Sequence, residues 1–203
     1  MNLPIYISLG GNCSITYQLK LRHLRYKAYP FDWTKISINQ LINILENNFK
    51  DFIDSIRIKK KSIMHINFNT EENNSLILTN NFNILFAHEI SDINNSSLDI
   101  FKQKLYRRID RIYNLINHSQ KIIFIRIELQ SIKIDYINKI KILLNLLNKI
   151  SNNFILKLIL NIDKNFDIKL LENLSNNLLI YKFNIFSEDW KMNHIDWDNI
   201  INN

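Results

Sequence analysis

Apolar positions follow two rhythms along the chain, and the changes of rhythm mark its elements. Ile5 to Leu9 is a short β-branched run that reads as a buried strand. From Ser14 the spacing turns helical, with Ile15, Leu19 and Leu24 on one face and Tyr17 and Leu21 beside it. A second helix is predicted from Ile36 to Phe52, through Ile38, Leu41, Ile42, Leu45 and Phe49. Residues 54–80 are polar and mixed, with room for strands at Ile63–Phe68 and Leu76–Leu78. Asn83 to Glu89 then reads as a short strand ending on His88 and Glu89.

The second half is more regular. Leu98 to Ile116 is a helix with Phe101, Leu105, Ile109, Ile112 and Ile116 along its apolar face. Lys121 to Leu129 is almost continuously apolar, as a central parallel strand buried on both faces must be. A helix at Asp135–Ile150, a strand at Phe154–Leu160, a helix at Asp167–Leu174 and a strand at Leu178–Ile185 follow, and Trp197–Ile201 closes as a short helix. This alternation predicts an α/β fold: one three-layer domain over residues 1–203, with a mostly parallel, doubly wound sheet flanked by helices. Residues 186–203 are read as a C-terminal flap of the same domain. Right-handed crossovers bring the strand ends to one edge. That edge would gather Gly10 to Cys13, His88, Arg126 with Glu128, Asn161 with Asp163, and Ser187 to Trp190.

Composition sharpens this picture at one place. Only two glycines occur in 203 residues, and they are adjacent, at Gly10-Gly11. Glycine reaches positive φ and lets a backbone approach another closely. Asn12 tolerates the same region, and Cys13, the single cysteine, comes next. The expected form is strand, tight turn, then a helix whose first turn carries Cys13 and Ser14. One cysteine forms no intrachain disulfide, which fits a reducing compartment. No run approaches the ~20 apolar residues of a membrane span, and the N-terminus lacks a secretory pattern. The expectation is a cytoplasmic protein without a membrane partner. A net charge of +7 permits contact with polyanions. Its lysines and arginines are scattered, however, and no nucleic-acid motif accompanies them, so no specific nucleic-acid partner is expected. No histidine pair has metal-ligand spacing and no phosphate-binding glycine pattern occurs, so neither metal nor cofactor is expected.

A helix N-terminus carries unsatisfied N–H groups and partial positive charge. It stabilises an anion there, whether a bound phosphate or carboxylate or the Cys13 thiolate itself. The alternative is a buried, inert thiol on a turn that the glycines merely shape. His88, just past a strand end, suits a base at the same edge. In Tyr29-Pro30-Phe31-Asp32-Trp33, two large anchors flank Asp32 in a loop expected beside the glycine turn. Asp32 there either caps the following helix or serves the site. Arg107 and Arg111 lie one turn apart, as an anion clamp or as surface ion pairs. Arg126 and Glu128 emerge on one side of their strand, and a buried pair there must be hydrogen-bonded or functional.

These motifs together carry a resemblance. Ser8-Leu9-Gly10-Gly11-Asn12-Cys13, Tyr29-Pro30-Phe31-Asp32-Trp33, Phe86-Ala87-His88-Glu89, Arg107-Arg108 with Arg111, and Phe124-Ile125-Arg126 resemble a family of uncharacterised proteins. Its members occur in bacteria and large DNA viruses and are labelled papain-like cysteine peptidases. The resemblance implies Cys13 as nucleophile and His88 as its base. Glu89 stands where the family more often has Asp. Asp32, Glu89 or Asp189 would orient the imidazole, and the N–H groups of Asn12 to Ser14 would hold an oxyanion. Substrate contacts would come from Gly10, Gly11, Asn12, Arg107, Arg111 and Arg126, and the substrate would be a peptide or another acyl or anionic compound. The parallel sheet is favoured over a papain-like α+β fold. Two other readings stand beside this one. The first is a non-catalytic module binding an anionic ligand at Gly10-Gly11. The second is a serine esterase resembling the SGNH hydrolases, using Ser8 and His194.

Overall fold

The computed structural model describes residues 3–60, 77–86, 95–116, 119–162, 166–183 and 189–202. Four parallel strands make the main sheet: β1 (Ile5–Ser8), β6 (Ile122–Glu128), β7 (Phe154–Asn161) and β8 (Leu178–Phe183), in that spatial order. Ile7 pairs with Phe124, Phe124 with Leu156, and Leu156 with Leu178. The α/β fold with a mostly parallel sheet is therefore present, with helices on both faces. Strand order does not reverse within the sheet, as a doubly wound order would require. Each new strand is added on the same side, and β1 is left at one margin. The turn after β1 thus stands at a sheet edge instead of in an internal crevice.

Alternation along the strands splits the core in two. One face carries Ile7, Phe124, Leu156, Leu158 and Leu160. It packs under helices α2 (Ile38–Glu46), α3 (Asn95–Tyr113), α4 (Tyr136–Ile150) and α5 (Lys169–Glu172). The other carries Ile123, Ile125, Ile127 and Ile159, under helices α1 (Ser14–Leu21) and α6 (Trp197–Asn202). Lys157 points to this second face, almost wholly buried. Its ammonium donates to the carbonyls of Ile200 (2.6 Å) and Ile201 (3.1 Å), at the end of α6. No helix among the described residues is long and apolar enough to cross a membrane.

A second, antiparallel sheet was not foreseen. It orders β2 (Thr34–Lys35), β5 (Leu85–Phe86), β4 (Ile77–Thr79) and β3 (Arg57–Lys60). The strand leading to His88 therefore belongs to this sheet and not to the parallel one. His88 and Glu89 themselves, like the strand expected at 63–68, lie outside the described residues. Helix α2 stops at Glu46 instead of running to Phe52, because Asn48, Phe49 and Asp51 all adopt positive φ. Its end is a Schellman turn, with the Asn48 N–H on the Leu45 carbonyl (3.2 Å) and the Phe49 N–H on that of Ile44 (2.9 Å). Helix α1 ends the same way: the His23 N–H bonds to Lys20 O and the Leu24 N–H to Leu19 O, with His23 at φ 56°. Leu21 faces outward, 54% exposed. The start of α2 is capped by Ser37 in a reciprocal pair with Gln40, so Asp32 is not its cap.

Candidate active site

Gly10 and Gly11 take φ of 74° and 95° as the chain leaves β1. Space forbids a side chain at both. A Cβ on Gly11 would overlap the Ile127 carbonyl oxygen of β6, and one on Gly10 would overlap the Ile36 side chain. The turn is therefore pressed between the parallel sheet and the strand pair that begins at Thr34. Ser8, buried at the end of β1, accepts the Gly10 N–H through its hydroxyl (3.2 Å). Asn12 accepts the Cys13 N–H through Oδ1 (2.7 Å). The Cys13 carbonyl then accepts from Tyr17, opening α1. Cys13 occupies the helix N-cap position without a side-chain cap bond, half-buried.

Electrostatics at the thiol differ from the expectation for a helix start. Burial pushes the Cys13 pKa up to about 11, opposed by the Lys35 charge and by its own backbone N–H. Desolvation of a small side chain outweighs the partial charge of a helix terminus, so a separate base is required to make a thiolate. The Cys13 N–H is already engaged by Asn12, which removes it from the donors expected for an oxyanion.

Asp32 is 3% exposed and anchors its own loop. Its Oδ2 accepts from Arg25 Nε (2.8 Å) and from the Tyr29 N–H (3.1 Å). Burial raises its pKa, while Arg25, the Tyr29 N–H and Arg108 pull it down. This loop does lie beside the glycine turn: Trp33 donates its N–H to Thr16 Oγ1 of α1 (3.2 Å), and Thr34 Oγ1 is a near neighbour of Gly10.

The three arginines have different surroundings. Arg107 is exposed on α3. Arg111 donates from Nη1 to the Ala28 carbonyl (2.7 Å). Arg126 lies wholly inside, donating to Glu128 (2.6 Å), to the Leu9 carbonyl (3.0 Å) and to the Ile36 carbonyl (3.1 Å). Tyr136 completes that network by donating to Glu128 Oε1 (3.2 Å). Arg126 is thus a bolt across the base of the turn, joining β1, β6 and the segment before α2.

Sequence reasoning did not single out Lys35 or Gln18, while it placed Trp190 in a flap over the sheet edge. Lys35 acts on the Cys13 charge. Gln18 is buried on the apolar side of α1 and donates to the Lys191 carbonyl (2.7 Å) and to Asn193 Oδ1 (3.1 Å), fastening residues 189–202 over the helix. Trp190 meets the Tyr17 ring edge-on at 5.2 Å, one helical turn after Cys13. A polar residue between Ile15 and Leu19 on a face expected to be buried was the available signal for Gln18. His194 is exposed on this tail, while Ser8 is buried and bound to Gly10, an unfavourable arrangement for a serine nucleophile.

Comparison with known proteins bears on the same region. The model of the family described as "Putative papain-like cysteine peptidase (DUF1796)" matches residues 4–164. An uncharacterised protein of Acanthamoeba polyphaga mimivirus is 32% identical over 165 residues, spanning 75% of this chain and 74% of the viral protein. No solved structure matches. The matched segment holds the glycine turn, Cys13, Asp32 and Arg126 together, and the chain belongs to this family.

Proposed function

We propose that Cys13 is the nucleophile of a cysteine-dependent hydrolase or acyl transferase and that His88 is its base. The observation that carries this reading is the placement of Cys13. It starts α1 directly after a glycine turn at the end of β1, inside the segment that matches a family described as cysteine peptidases. Strand register adds support. Phe86, two residues before His88, pairs with Thr34, which abuts Gly10. The chain therefore leaves β5 toward His88 close to the turn that leads into Cys13.

The chemistry follows from the raised thiol pKa. At neutral pH the group is a thiol, so His88 removes the S–H proton as sulfur attacks the acyl carbon. The carbonyl π electrons move to oxygen and return as the leaving amine, alcohol or thiol departs with the proton. Water, deprotonated by the same imidazole, attacks the thioester and releases acid and free Cys13. For a transferase, a second nucleophile takes the place of water. Glu89 or Asp32 would orient the imidazole, with Asp32 already held by Arg25. The substrate class is a peptide or other acyl compound, and a single cysteine suits work in the reducing cytoplasm.

The test is the pH dependence of Cys13 alkylation by iodoacetamide. Wild type is expected to be alkylated at neutral pH with the help of the His88 imidazole, and His88→Ala to react only as pH climbs toward the raised thiol value of about 11. Identical profiles in the two proteins would remove His88 from the role. A thiol that reacts in neither would remove Cys13 as well.

A further inference from the structure

At the start of β1, the opposite end of the strand from Cys13, a cleft of about 370 Å³ opens. It lies between the first residues of β1, the segment after α1 and the last turn of α3. Tyr6, Tyr26 and the almost wholly buried Tyr29 are among its lining residues, and the charged residues of its described lining, Lys27 and Arg111, are both cationic.

The parts are held in place independently of Cys13. Arg111 is fixed by its bond to the Ala28 carbonyl, which occupies one of the five N–H donors of a guanidinium. It stands close enough to Tyr29 for its charge to lower that phenol's pKa against the rise that burial imposes. Asp32, the acid that also acts on Tyr29, is tied to Arg25 on its other side. Tyr6 donates its hydroxyl to the Ile201 carbonyl (3.4 Å), which sets its ring. Two cations and no acid among the described lining residues favour an anion in this partly enclosed space. Aromatic faces beside it favour a planar partner.

We propose that this cleft binds a small planar anion, its ring against Tyr26 and Tyr6 and its charged group at Lys27 and Arg111. Its volume is at the small end of the roughly 300–1,000 Å³ typical of ligand pockets, which suits a mononucleotide or an aryl carboxylate and is too small for a folded partner. Nothing in this assignment depends on the thiol chemistry proposed above.

Calorimetric titration of the full chain tests it, with adenosine 5′-monophosphate and 4-hydroxyphenylacetate as planar anions and adenosine and inorganic phosphate as controls. At least one planar anion is expected to saturate with a Kd below about 1 mM, and both controls to bind about tenfold more weakly or not at all. Which planar anion binds distinguishes a nucleotide from a carboxylate ligand. Lys27 is exposed and Tyr26 is 67% exposed, so Lys27→Ala and Tyr26→Ala should keep the thermal transition of wild type. Each should weaken the planar anion about tenfold. Absence of saturable binding by both planar anions, phosphate binding as tightly as they do, or affinity unchanged in both variants would each overturn the proposal.

Discussion

At the scale of single residues, a few positions near Cys13 are tightly determined by their surroundings. Gly11 combines a left-handed backbone with direct approach to the Ile127 carbonyl, so Gly11→Ala meets both strain and overlap. It is expected to destabilise by about 3 kcal/mol or more, read as a lower urea midpoint with unchanged slope. Arg126 is equally constrained. Glu128→Ala would leave a buried guanidinium without its counter-charge and should cost about 3–5 kcal/mol by the same measurement. The glycine turn was legible in the sequence because the chain spends its only two glycines there. The role of Arg126 was half legible: strand period put it beside Glu128, but the Leu9 and Ile36 carbonyls that also hold it come from elsewhere in the chain. The raised Cys13 pKa was not legible, since burial by the rest of the fold sets it.

At the scale of elements, a glycine-poor chain has to end its helices with residues that dislike the left-handed region. His23 and Asn48 occupy the positions where glycine is ordinarily found. His23→Gly and Asn48→Gly should therefore each stabilise the fold by up to about 1 kcal/mol. In a domain of this length that raises Tm by roughly 2–4 °C, measured by calorimetry. An unchanged or lowered Tm in both would show that the two side chains contribute contacts outweighing the backbone strain. The parallel strands were readable because each is a nearly continuous apolar run. The antiparallel sheet was readable only in part: the strands expected at 76–78 and 83–89 overlap β4 and β5, but β2 is two residues long and β3 reads Arg-Ile-Lys-Lys. Such short or charged pieces acquire strand character only from their partners.

Across the whole molecule, Lys157 couples the middle of the parallel sheet to helix α6. Burial lowers its pKa to about 8, with a smaller contribution from Lys121. The unfolded lysine titrates near 10.4. Between those values the unfolded chain binds more protons, so this group's contribution to stability rises with pH from about 8 to about 10.5. Cys13 works in the opposite sense: its folded pKa is raised, so its contribution falls as pH climbs from the ordinary thiol range toward 11. Comparing urea midpoints of wild type and Lys157→Met across pH 7–10.5 isolates the lysine. The gap between them should move in favour of wild type as pH rises, and a constant gap would show that Lys157 does not titrate in this window.

The bond from Lys157 to the Ile200 and Ile201 carbonyls also has a temporal side. During synthesis, β1, β6, β7 and β8 all leave the ribosome before the residues that satisfy this ammonium. Until then the sheet has a charge on the face where α6 will sit, and Ile123, Ile125 and Ile159 lack much of their cover. The nascent chain must therefore wait, and a ribosome-bound intermediate stalled before Trp197 should be cut readily by protease where the released chain resists.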